Sequence, residues 1–214
     1  EEVLHHTRPV VRGSERAMVV LDMPFGSYQI SEELAIANCV RALKEGGAGA
    51  VKLEGGKEMA PLVAELTKRG IPVMAHIGLL PQTAPLWEGY RVQGRDGDSA
   101  WELVEAAQAL EEAGAFSLLL ECMTTHVARL VTEKVDIPTI GIGAGPGCSG
   151  QVLVFHDLLG LGDDQAPKFV RRFAEGRAVL EQGLKDYCAA VRDGSFPSEE
   201  YAYAMNMDEA KRLY

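Results

Sequence analysis

The chain has 214 residues, 47% of them hydrophobic, and a formal net charge of −10. That length and apolar content suffice for one substantial buried core, while the acidic balance and the lack of a basic stripe argue against nucleic acid and anionic membranes as partners. No run of about 18 apolar residues exists, so no transmembrane helix is predicted. Cys39, Cys122, Cys148 and Cys188 are scattered without a CxxC pair or a histidine at zinc-ligand spacing; they read as four reduced thiols in an intracellular protein.

Residues 1–16 form a polar lead-in around Pro9 and Gly13, and the first strand is predicted at 17–22. Ser31, followed by Glu32 and Glu33, reads as the N-cap of a helix running to Gly46. A strand over 48–54 leads to a helix from Lys57 to Arg69, with Gly70 as its stop. Pro72 is tolerated near the start of the next strand, 71–76.

From 77 to 98 the hydrophobic period is lost, and an irregular stretch of about 20 residues in a compact domain reads as a functional cover. Ser99-Ala-Trp-Glu102 has capping-box spacing before a helix to Gly114. Three units remain. They are strand 116–121 with helix 125–134, strand 138–142 with the turn Gly141-Ile-Gly-Ala-Gly145, and strand 151–156 with a helix over 167–191. A short helix at 207–213 closes the tail.

Six strands alternating with helices predict a parallel sheet with right-handed crossovers. The apolar runs end on polar groups at the same end: Asp22, Lys52 and Glu54, His76, Glu121, and Asp157. In strand 48–54 the side-chain alternation turns Lys52 and Glu54 to one face and Val51 and Leu53 to the other. A closed barrel brings such ends to one mouth, whereas an open doubly wound sheet spreads them along a line. Eight-stranded barrels spend about 250 residues on eight units, so six units imply that about two N-terminal βα units are absent.

Asp22 and Glu54 are hard oxygen ligands suited to Mg²⁺, although Asp22 alone also fits a turn before Pro24. Lys52 offers a fixed cation to an oxo-acid oxygen. His76 is either a donor to the same oxygens or a satisfied core residue. Glu121 closes an apolar run, where burial raises a carboxyl pKa toward that of a general base; the alternative is a structural carboxylate. A metal, a cation and a separate base together point to enolisation of a 2-oxo acid. The GxGxG turn lacks the acidic ribose partner of a dinucleotide site.

Asp22-Met-Pro-Phe25, Val51-Lys-Leu-Glu-Gly-Gly56, His76-Ile-Gly-Leu-Leu-Pro-Gln82, Gly89-Tyr-Arg-Val-Gln-Gly94, Leu120-Glu-Cys122, Ile140-Gly-Ile-Gly-Ala-Gly145 and Gly150-Gln-Val-Leu-Val154 occur in this order. Together, over residues 1–197, they resemble the ketopantoate hydroxymethyltransferase family. The resemblance implies a (β/α)8 TIM barrel of the phosphoenolpyruvate/pyruvate type, spanning 1–197 with a tail at 198–214. It implies transfer of the one-carbon unit of 5,10-methylenetetrahydrofolate to 3-methyl-2-oxobutanoate, a step of pantothenate synthesis.

By the same resemblance Asp22 and Glu54 look like Mg²⁺ ligands. Asp22, Lys52 and His76 look like contacts to the oxo acid, and Glu121 like the base. The family implies a decamer built from pentamers, cytoplasmic in bacteria and mitochondrial in many eukaryotes. Its Gly-Asp-Ser turn has no counterpart here, Leu80 stands where Thr is usual, and Thr124 where Pro commonly follows the base. The alternatives are another Mg-dependent 2-oxo-acid aldolase or lyase of this barrel class, and a non-catalytic homologue that kept the fold.

Overall fold

The computed structural model describes residues 1–84, 90–162 and 166–213. Contacts divide the chain into two compact units, Glu1–Val152 and Leu153–Tyr214.

The first unit is built on a parallel sheet. Its strands are β1 (Val20–Asp22), β2 (Ala50–Glu54), β3 (Val73–Gly78), β4 (Ser117–Glu121), β5 (Thr139–Ile142) and β6 (Gly150–Gln151), ordered β1-β2-β3-β4-β5-β6. Strands of near-continuous apolar sequence suit a sheet covered on its faces. The connecting helices are α1 (Glu2–Gly13), α2 (Glu32–Lys44), α3 (Ala60–Lys68), α4 (Gly97–Glu112) and α5 (Thr125–Lys134).

Register decides which side chains share a face. Leu53 pairs with Ala75, Ala75 with Leu118, and Leu118 with Thr139, so the row between them is apolar or fully buried. It packs in one core with Cys39 of α2, Leu66 of α3, Leu110 of α4 and Val131 of α5. The alternate rows face the other way. Asp22 pairs with Lys52 and Lys52 with Met74; Glu54 pairs with His76 and His76 with Leu119; Gly78 pairs with Glu121 and Glu121 with Ile142. Period-two alternation thus places every candidate group on one face.

Local signals explain most boundaries. Ser31 caps α2, its hydroxyl accepting the Leu34 N–H at 3.2 Å. Gly70, at φ +78°, ends the turn after α3 in the left-handed region that glycine favours.

Several expectations are corrected. The lead-in is helical: α1 contains Pro9 and yet forms, because Leu4 and Thr7 are buried on one face and the Thr7 hydroxyl donates to the Val3 carbonyl at 2.7 Å. Tertiary burial there outweighs the roughly 3 kcal/mol that a mid-helix proline costs. The capping box of α4 sits one turn earlier, between Asp96 and Ser99, because Asp96 already accepts the Ser99 N–H at 2.9 Å.

The run at 151–156 is not a strand of that length. Pairing stops after Gln151, and α6 (Phe155–Leu158) begins where a strand was expected, so Asp157 sits on a helical turn. The long helix α7 covers Gly176–Asp193 rather than 167–191, since 167–175 are tied into turns by the Val170, Phe173 and Gly176 amides. In the same unit the Phe196 ring meets Tyr187 edge-on and Tyr201 at a tilt, each with ring centres 5.7 Å apart, and α8 (Met207–Ala210) follows. Among the described residues no helix is long and apolar enough to cross a membrane.

The segment expected as a cover, 77–98, falls partly on 85–89, outside the described residues. Its described part is anchored on both sides. Leu79 N–H donates to the Glu121 carbonyl, while Gln93 pairs with the Cys122 carbonyl and the Thr124 amide.

Candidate active site

Side chains from four consecutive strands meet at their carboxyl ends. Lys52 is the centre: its Nζ lies 3.0 Å from Asp22 Oδ2, 3.0 Å from His76 Nδ1 and 3.8 Å from Glu54 Oε1. His76 in turn sits 3.8 Å from Glu54 Oε1 through Nδ1 and 3.4 Å from Glu121 Oε2 through Nε2. Asp22, Lys52, Glu54, His76 and Glu121 are therefore one connected cluster. Asp22 is its most exposed member at 57%, whereas the Lys52 side chain is 13% exposed.

Burial and charge set the ionisation. Burial, with the Lys52 ammonium adding to it, lowers the His76 pKa to about 3, so the imidazole is neutral at pH 7. Burial is also the main cause that raises Glu121 to about 7; the Glu54 and Asp22 charges push the same way, and Lys52 opposes them. Glu54 is shifted upward too, first by burial. His76 Nε2 is buried and has no aligned hydrogen-bond partner among the described residues, which leaves a polar atom directed at Glu121.

The chain turns sharply around Glu121. Gly78 has φ +98°, and a Cβ there would stand 2.2 Å from the Glu121 carbonyl oxygen. Among the described residues Cys122 is the non-glycine residue held at positive φ, +47°, with its amide bonded to Ile142 and its carbonyl to Gln93. Backbone strain of this kind costs about 1–3 kcal/mol and collects at functional sites. Thr124, one of the departures from the family pattern, ties the next turn to the Gly94 carbonyl at 3.0 Å.

Two residues escaped the sequence reading of the site. Tyr28, 3% exposed, accepts the Glu54 N–H at 3.1 Å and donates to Gln82 Oε1 at 2.9 Å. Gln82 N–H donates to Glu54 Oε2 at 3.0 Å. Gln82 was legible only as part of a motif and Tyr28 only as a turn residue, since loops carry no hydrophobic period. Asp157, the polar group expected at the end of the last strand, lies instead on α6 of the second unit.

Asp22 and Glu54 flank a cation and are hard donors, a set that fits an ion needing one or two carboxylates with water completing its shell. Among the described residues no group of three or more His, Cys, Asp or Glu gathers as a protein-only metal cage.

Parallel strands covered by helices, with acid, base and cation collected at the strands' carboxyl ends, define an α/β enzyme of the kind that places its chemistry at that end of the sheet. The family model for ketopantoate hydroxymethyltransferase matches residues 1–199. A 3-methyl-2-oxobutanoate hydroxymethyltransferase of Heliobacterium modesticaldum is 53% identical over 214 residues, covering 100% of this chain and 77% of that protein. One of Carboxydothermus hydrogenoformans is 50% identical, covering 100% and 78%. A crystal structure of phosphonopyruvate hydrolase superposes at a TM-score of 0.51 with 15% identity, covering 98% of this chain and 72% of that one, a likeness of fold. The chain belongs to the ketopantoate hydroxymethyltransferase family and is one of the hydroxymethyltransferases.

Proposed function

We propose that the protein transfers the one-carbon unit of 5,10-methylenetetrahydrofolate to 3-methyl-2-oxobutanoate, giving 2-dehydropantoate for pantothenate synthesis, by way of an enolate. The observation that carries this is the state of Glu121: a carboxyl raised to about 7, beside a buried neutral imidazole and on the same face as Lys52. A base with a pKa near working pH is what proton removal next to a carbonyl needs.

In this reading Glu121 takes the proton from C3 of the oxo acid. Lys52 receives the substrate's carboxylate or oxo oxygen, with Asp22 holding the ammonium in place at 3.0 Å. His76 contributes an N–H donor at the same mouth. Asp22 and Glu54 would hold Mg²⁺, which supplies positive charge to the oxo-acid oxygens when bound. Water cleaves the two C–N bonds of the methylene carbon, releasing tetrahydrofolate and formaldehyde; C3 of the enolate adds to the formaldehyde carbon, and its oxygen, now an alkoxide, takes the proton held by Glu121 to become the hydroxyl.

The fuller architecture of this reading is the eight-stranded barrel, in which two further βα units lie between the edges β1 and β6. Residues 1–197 form the barrel domain and 198–214 a tail, a division supported by the extent of the family match. The assembly is a homo-oligomer, a decamer by family likeness.

The test is deuterium exchange at C3 of 3-methyl-2-oxobutanoate, followed by proton NMR with and without Mg²⁺, for the protein and its Glu121→Gln variant. Metal-dependent exchange that Glu121→Gln reduces about 10²–10⁴-fold is the expected result. No exchange from folded, Mg²⁺-supplied protein overturns the reading.

A further inference from the structure

Gln82 stands outside the acid–base cluster, yet its hydrogen bonds tie the segment after β3 to the ends of two other strands. Its own segment continues β3, six residues beyond His76. Its Nε2–H donates to the Met23 carbonyl at 2.8 Å, one residue past Asp22 at the end of β1. Its Oε1 accepts the Tyr28 hydroxyl at 2.9 Å and Gln29 Nε2 at 3.3 Å, while its backbone N–H donates to Glu54 Oε2 at the end of β2.

These bonds close a ring. Glu54 N–H donates to Tyr28, Tyr28 to the Gln82 side chain, and the Gln82 backbone back to the Glu54 carboxylate. A half-buried polar network in which each member is satisfied holds its members rigidly. With Oε2 occupied in this way, the other Glu54 oxygen, Oε1, is the one turned to Lys52 and His76, 3.8 Å from each.

We propose that Gln82 is a positioning residue: it locks the Glu54 carboxylate and ties it to the turn that follows Asp22 at the end of β1, so that the two carboxylates keep one spacing. This rests on the reading of Asp22 and Glu54 as metal ligands. The position demands a glutamine amide, because the group must donate to one carbonyl and accept from one hydroxyl at the same reach. Glutamate would set a carboxylate against the Met23 carbonyl, and methionine offers neither function. Outer-shell partners of this type change metal affinity or activity by about 10–100-fold when removed.

The experiment compares the parent with Gln82→Met, Tyr28→Phe and the double variant. Mg²⁺ binding is measured by calorimetry on the protein alone, and C3 exchange is resolved into kcat and KM at low and high Mg²⁺. The expected result is folded variants whose Mg²⁺ Kd rises about 10–100-fold and whose kcat falls at low Mg²⁺ and recovers at high Mg²⁺. The double variant is no weaker than the worse single one, since the ring breaks once.

A folded Gln82→Met that binds Mg²⁺ like the parent overturns the proposal; should that variant fail to fold, Tyr28→Phe decides by the same criterion. If the parent itself binds no Mg²⁺, the metal reading falls, and the positioning claim is decided by amide hydrogen exchange. Exchange of the Gln82 N–H accelerated more than about 10-fold in Tyr28→Phe, with the core amide of Leu118 unchanged, sustains it. Unaltered protection at Gln82 removes it.

Discussion

His76 Nδ1 accepts a hydrogen bond from Lys52 Nζ at 3.0 Å. An ammonium has protons and no lone pair, so the imidazole must be the acceptor through Nδ1 and carry its proton on Nε2. That nitrogen is the one 3.4 Å from Glu121 Oε2. Lys52 thereby selects the tautomer of His76 and adds to the burial that keeps it neutral, and a neutral N–H donor, rather than an imidazolium, is what faces the base.

The ionisation of Glu121 governs the pH dependence of proton removal. With its pKa at about 7, C3 exchange rises as pH passes upward through that value and levels off above it. Lys52→Met removes the charge that pulls this carboxyl down, so the midpoint moves above about 7. A pH profile of exchange for parent and variant measures both, and an unmoved midpoint contradicts the coupling.

Stability carries the opposite signature. Glu121 is raised above the ordinary carboxylate value of 4.5, so the folded state binds its proton more tightly. Its contribution is full below about 4.5 and is lost as pH rises through about 7. His76 is depressed, and its contribution is present above 6.5 and lost as pH falls toward about 3. Thermal melts across this range are expected to show Glu121→Gln gaining on the parent from pH 4.5 to 7. His76→Gln gains on it from pH 6.5 down to 3.

The backbone next to Glu121 tolerates substitution unequally. Gly78→Ala combines φ +98° with a Cβ 2.2 Å from the Glu121 carbonyl oxygen and is expected to cost about 2–5 kcal/mol. Cys122→Gly removes a side chain at φ +47° and is expected to change stability by less than about 1 kcal/mol, strain relief offsetting the added freedom of the unfolded chain. Urea denaturation separates the two.

The location of the α4 cap is also measurable. Asp96→Ala removes the oxygen that accepts Ser99 N–H and is expected to cost about 1 kcal/mol. Glu102→Ala, which the spacing from Ser99 had suggested as half of a capping box, stays within about 0.5 kcal/mol of the parent. Equal losses from both variants put the cap back at Ser99.

How much was legible varies by element. β2 to β5 could be read because each is an apolar run bounded by glycine or proline, and the α2 and α3 ends because Ser31 and Gly70 act through bonds local to the chain. The 151–156 run was misread as a strand because Val152-Leu-Val-Phe is apolar in either conformation; only the pairing partner ends β6 at Gln151. α1 was missed because Pro9 argues locally against a helix that Leu4 burial maintains.

By itself the amino-acid sequence determined which residues share a face. Side chains alternate with period two whatever a strand's neighbours are, so Lys52 and Glu54 had to point the same way, and polar groups ending successive apolar runs had to lie at one end of a parallel sheet. Register and loop closure were decided only in the folded molecule. The pairing of Glu54 with His76, the tautomer that Lys52 imposes and the Tyr28–Gln82 ring depend on distances between segments 22 to 54 residues apart. Such distances are set by how strands pair and pack, a property of the whole chain that local pattern does not encode.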